Sequence, residues 1–232
     1  MTGPTNTLAR RSMLARFGIG AAAIGSGIAV SAAKAVTATN TRFEPAQHPE
    51  DSWFDSLPGR HRFVIDSTTP EGGGSALAFA NNFFVANKSG YKLDAPALAV
   101  VVVMRHFSTP FAYTDTIWAK YSAPIFDLIK FTDPKTKQPA KTNLYNSAAY
   151  GLTLPNFGTT VDSLIGQGAH FAVCDMATHF FAGHVAEQTK QNADAVYREL
   201  TANLVRNSHL VPAGIVAVNR AQEHGYTFAY AA

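Results

Sequence analysis

Every residue from Ala97 to Met104 is apolar, a run of Ala, Leu and Val closed by Met104. A strand with one wet face alternates polar with apolar, whereas an unbroken run needs cover on both faces, as in the middle of a parallel sheet. Helices on two sides supply that cover. The run therefore predicts an α/β architecture and argues against an antiparallel sandwich.

The rest of the chain fits around this strand. Short apolar runs predict further strands near residues 62 to 66, 170 to 174, 208 to 211 and 226 to 230, giving five with 97 to 104. Between them lie helical patterns. Gly72-Gly73-Gly74 reads as a loop, with Ser75 as N-cap of a helix carrying Leu77, Ala80 and Phe84 and stopped by Gly90. Thr109-Pro110 reads as the start of a second helix that continues through Trp118 and Tyr121. A helical segment covers Thr178 to Val185. Asn192 caps an amphipathic helix with Val196, Leu200 and Leu204 on one stripe and Arg206 in its last turn. Another runs from Ala213 to His224 and ends at Gly225. From about 131 to 164 the pattern is lost among Pro134, Pro139 and Pro155, which marks an insertion, and long ordered insertions often serve as covers or lids. The expected fold is a single-domain, three-layer α/β sandwich over residues 61 to 232, with a mainly parallel sheet of about five strands and right-handed crossovers.

The first 38 residues read as an address rather than as part of this fold. Arg10-Arg11 precedes a mildly apolar, glycine-rich run from Phe17 to Ala33, followed by the small-x-small sites Ala33-Lys34-Ala35 and Val36-Thr37-Ala38. This is the pattern of a twin-arginine signal peptide, which predicts an exported, periplasmic protein with no stable membrane span after processing. Residues 39 to 60 contain Pro45, Pro49 and Pro58, with Trp53 and Phe54 as apolar anchors, and read as an extended arm packed over the domain. The formal charge of +3 is carried by the leader, whose Arg10, Arg11, Arg16 and Lys34 have no acid among them. Without it the chain is close to neutral, which removes the compositional case for nucleic-acid binding. With 47% hydrophobic and 15% charged residues, the chain can bury a sizeable core.

Chemistry is expected beyond the carboxyl ends of the strands, where open parallel sheets bind ligands. Cys174, His106 and the Gly72-Gly73-Gly74 stretch all fall there. Cys174 is the one cysteine of the chain, so no disulfide staples the fold. It ends a strand just before a helix, where backbone N–H groups and the helix dipole favour a thiolate; the opposing reading is a small buried hydrophobe. His106 either pairs with that thiolate, steers an anionic ligand or is fixed by a loop carbonyl. His179 and His184 are spaced so that they do not share a helix face and make a poor metal pair. The glycines match neither a phosphate loop nor a dinucleotide fingerprint, though their N–H groups could meet an anion. No serine sits in a Gly-x-Ser-x-Gly elbow, and Asp66 and Asp115 read as acid/base groups or, preferably, as helix caps. No residue pattern specifies a cofactor.

The strand from Val100 to His106, the strand Phe171-Ala172-Val173-Cys174 and the closing stretch from Leu210 to Tyr226 together resemble the DsrE/DsrF-like sulfur-relay family. The resemblance implies a DsrE-like fold, a tendency to form homo- or hetero-oligomers, with a homo-oligomer expected here, and a persulfide-accepting role for Cys174. Three functional readings follow: an exported thiol protein that accepts or relays sulfur, with a sulfur-donor protein as partner; a non-catalytic binder of a small molecule in the same crevice; and an oligomeric assembly module.

Overall fold

The computed structural model describes residues 44–232; the expected signal peptide lies outside the described residues. Five strands form one sheet: β1 (His61–Ser67), β2 (Leu98–Met104), β3 (His170–Cys174), β4 (Ser208–Val211) and β5 (Thr227–Ala231). All pairings are parallel, in the order β4-β3-β2-β1-β5. Among the described residues seven α-helices accompany them: α1 (Trp53–Ser56), α2 (Pro70–Tyr91), α3 (Asp115–Ile129), α4 (Val161–Gly166), α5 (Asp175–Thr189), α6 (Ala193–Ala202) and α7 (Gly214–Glu223).

The strand order dictates where the helices go. From β1 through β4 the chain steps in one direction across the sheet, and right-handed crossovers then put every connecting helix on the same face. The return from β4 to β5 runs the other way, so α7 lands on the opposite face. The two cores follow this division. One is thick, with Leu77 and Phe84 of α2, Ile117 and Trp118 of α3, Phe181 and Val185 of α5, and Val196 and Leu200 of α6. The other is thin, with Ala217, Val218 and Ala221 of α7 joined by Phe54, Leu57 and Tyr226. β2 serves both: Val100, Val102 and Met104 face the thick core while Ala99, Val101 and Val103 face the thin one. All seven of its residues are buried, as the unbroken apolar run requires.

Several local expectations are corrected. α2 begins at Pro70, not behind Ser75, because Thr69 Oγ1 already accepts the Gly72 N–H at 2.8 Å and Pro70 sits at the first helical position. The three glycines are thus helical. Space explains Gly74: a Cβ there would lie 2.7 Å from Tyr145 and Pro155 of the insertion. Thr109-Pro110 belongs to a 3-10 turn from His106 to Ala112, and α3 starts only behind Thr114. The delay comes from pairing, since Thr114 N–H donates to Asn203 O and Val205 N–H to Ala112 O, holding this stretch beside the end of α6. α6 ends at Ala202, so Arg206 lies beyond its last turn. Asp66 and Asp115 do not cap helices: Asp66 pairs with Arg105, and Asp115 Oδ1 accepts the Asn143 N–H from the insertion.

The insertion adds no strand to the sheet. It covers the thick core with Phe131, Leu144, Tyr145 and Leu154, and the Tyr145 hydroxyl donates to Pro70 O at the start of α2. The stretch before β1, expected to be extended, curls from Pro49 into a 3-10 turn and then α1, which puts Phe54 and Leu57 into the thin core. Among the described residues no helix is long and apolar enough to cross a membrane.

Candidate functional site

Adjacent strands β3 and β4 send their chains to opposite faces, into α5 on the thick side and α7 on the thin side. A crevice opens where neighbouring connections diverge in this way, at the carboxyl edge of the sheet. Here it is a cleft of about 470 Å³ lined by Arg105, His106, Cys174, Met176, Phe180 and Ile215, with the backbone of Ala213 and Gly214 at one side. That volume suits a small molecule.

Cys174 closes β3 and is the N-cap of α5. Its Sγ accepts the Ala177 N–H at 3.4 Å, the role usually filled by a Ser or Asp oxygen. The residue is only 7% exposed, and what it does expose faces the cleft. Behind it, the Thr178 hydroxyl donates to Cys174 O at 3.0 Å and itself accepts the Tyr113 hydroxyl at 3.2 Å. Burial pushes the Tyr113 phenol well above its ordinary range, so it stays a neutral donor. The start of α5 is therefore fixed from beneath.

Arg105 is the residue that sequence reasoning missed. It follows β2, and its Nε and Nη2 form a fork on Asp66 Oδ1 and Oδ2, both at 2.8 Å. Asp66, at the end of β1, is buried, with 2% of its surface exposed. The hydrogen bonds to Asp66 raise the guanidinium pKa above its already high ordinary value. α7 holds Arg105 from the other side, where a Cβ on Gly214 would sit 2.4 Å from the Arg105 Cβ. Only glycine lets the helix approach so closely. The one available signal was Asp66 itself, an acidic residue inside an apolar strand, which is seldom buried without a partner.

His106 has a left-handed backbone, φ 55°, and its exposed ring stacks on Phe107 at 4.1 Å. It lines the cleft with Cys174 but makes no direct hydrogen bond to the sulfur among the described residues. The turn that holds it is anchored by Ser108, whose Oγ accepts the Arg105 N–H and the Ser67 hydroxyl. The Gly72-Gly73-Gly74 stretch contributes nothing here. The Gly72 and Gly73 N–H groups are spent on Thr69.

No family model, curated protein or solved structure matches the chain.

The other histidines go elsewhere. His179 stacks on Tyr197 and lies 3.8 Å from Asp175, while His184 approaches Asp127 at 3.1 Å. Among the described residues no three His, Cys, Asp or Glu side chains gather closely enough to hold a metal ion. What distinguishes the cleft is composition. Its walls are the apolar Met176, Phe180 and Ile215, all more than half exposed, and its floor carries one sulfur and one fixed guanidinium.

Proposed function

We propose that the protein accepts sulfur on Cys174 as a persulfide, the activity implied by the resemblance to the DsrE/DsrF-like family, and that it does so as a homo-oligomer exported from the cytoplasm by the expected twin-arginine leader. The observation that supports this most directly is the position of Sγ on the floor of a ligand-sized cleft, at a helix N-cap with a backbone N–H aimed at it. The thiolate is the nucleophile in thiol exchange. Cys174 Sγ attacks the outer sulfur of a donor hydropersulfide, a bond forms between the two sulfurs, and the donor's S–S bond breaks to release its thiolate. The thiol proton goes to His106 or to water, and no net oxidation occurs. Arg105, held by its ion pair with Asp66, lines the same cleft.

The test is intact-mass analysis after incubation with glutathione persulfide, read beside iodoacetamide labelling of the native protein. A +32 Da adduct on wild type, absent in Cys174→Ser, is expected, with labelling of Cys174 before denaturation. A thiol that labels only after unfolding overturns the reading. In that event the apolar walls favour the second one, a non-catalytic binder of a small molecule.

A further inference from the structure

The lining of the cleft restricts what enters it. Of the Arg105 donors, Nε and Nη2 are committed to Asp66, and Nη1 has no protein acceptor among the described residues. Arg105 lines the cleft, and none of the other side chains lining it is acidic. α7 begins with Ala213 at its N-cap, which offers no side-chain acceptor, so the first N–H groups of the helix, at Gly214 and Ile215, lack a cap where they border the same space. A free guanidinium edge beside an uncapped helix start is the donor set of an oxyanion site. The remaining walls are hydrocarbon and thioether. Phe180 and Met176 of α5 stand 54% and 68% exposed on one side and Ile215 of α7 57% exposed on the other, so a ligand between them covers apolar surface that is otherwise wet.

We propose that the cleft takes a small organic carboxylate with an apolar body, its carboxylate on Arg105 Nη1 and its body between Phe180, Met176 and Ile215. Placed so, the body lies over Cys174. This deepens the proposed function and rests on it in one respect: the natural sulfur donor is then the persulfide of a small carboxylated thiol, not an inorganic sulfur anion, for which the apolar walls offer nothing.

Calorimetric titration with three probes tests the occupant without involving the thiol. The probes are 3-phenylpropionate, acetate as an anion without a body, and 3-phenylpropanol as a body without an anion. At least tenfold tighter binding of 3-phenylpropionate than of either comparator is expected. Asp66→Asn/Arg105→Gln removes both charges while keeping a hydrogen-bonding pair, and should abolish the preference for the acid over the alcohol. Should that double variant not fold, Phe180→Asp, on an exposed position, should weaken 3-phenylpropionate at least tenfold. Equal binding of acid and alcohol to wild type, no saturable binding at millimolar concentration, or an unchanged affinity in Phe180→Asp overturns the proposal. Cys174 labelling without 3-phenylpropionate binding refutes the ligand class alone. Binding to a protein whose thiol is inert refutes sulfur acceptance and leaves the carboxylate site standing.

Discussion

On one face of the sheet α2, α3, α5, α6 and the insertion bury Trp118, Tyr121, Phe111 and Phe181; on the other, α7 and a single turn from the N-terminal segment cover the same strands with Phe54, Leu57 and Tyr226. The faces also differ in polarity. Around the thin core lie the His170–His209 contact, Nδ1 to Nε2 at 2.8 Å, the Trp53 ring stacked on His209 at 3.8 Å, and the Arg62–Asp55 pair at 2.9 Å. The comparison teaches that one reversed crossover leaves a sheet half covered. The segment before β1 completes it, so residues expected to form an extended arm over the domain are part of the core.

The largest expected effect breaks that claim or secures it. Phe54 is completely buried, and Phe54→Ala should cost about 3–5 kcal/mol, as for an aromatic in any core. Urea unfolding measures it; a loss below about 1 kcal/mol would mean the segment merely rests on the domain. Next comes a matched pair on β2. Val102→Ala on the thick side should cost about 2 kcal/mol, and Val101→Ala on the thin side about 1 kcal/mol less, because α7 and α1 can settle into the gap while the crowded side cannot. Equal losses would show that both sides are equally rigid.

Acid should separate the faces further. Burial, and then the charge of His170, hold the His209 pKa at about 4 against an ordinary 6.5. Between those values the unfolded chain takes up a proton that the folded chain refuses, so stability is complete above pH 6.5 and falls as pH drops towards 4. Allowing for the partial exposure of the ring, the loss should be about 1 kcal/mol. His209→Gln should flatten that limb in urea titrations from pH 7 to 4; an unchanged slope would show that the imidazole is not the group responsible. The smallest effect is expected at Asp55, exposed in its pair with Arg62. Asp55→Asn should change the urea midpoint by the equivalent of less than about 1 kcal/mol, and a larger change would make the pair a principal tie of the thin face.

The strands were legible because their signal is local. The all-apolar run at Leu98–Met104 reads as a doubly covered strand, and all five strands fall within a residue or two of their expected limits. The parallel sheet then placed Cys174 and His106 at one edge without further information. What stayed hidden depends on partners distant in sequence. Asp66 looked like a cap because Arg105 is 39 residues away, and nothing local singles out Gly214, whose close neighbour is that same arginine. The Gly72-Gly73-Gly74 stretch suggested flexibility, yet Gly74 is small to admit Tyr145 from the insertion. Met176, Phe180 and Ile215 are unremarkable in helical text. Only the divergence of α5 and α7 turns them into the walls of one cleft.

The contact between the Tyr226 hydroxyl and Phe54 O joins residues 172 positions apart. Closing so long a loop is entropically expensive before any contact repays it, and such pairings form late. On a ribosome, β1 to β3 and the thick-side helices between them can associate while α7 is still unmade, but the thin side must wait for nearly the whole chain. The same segment then defines where the native structure yields first. Amide exchange should report α1 and its contacts opening as a unit while β2 stays protected, so the order of assembly is written backwards in the order of local unfolding.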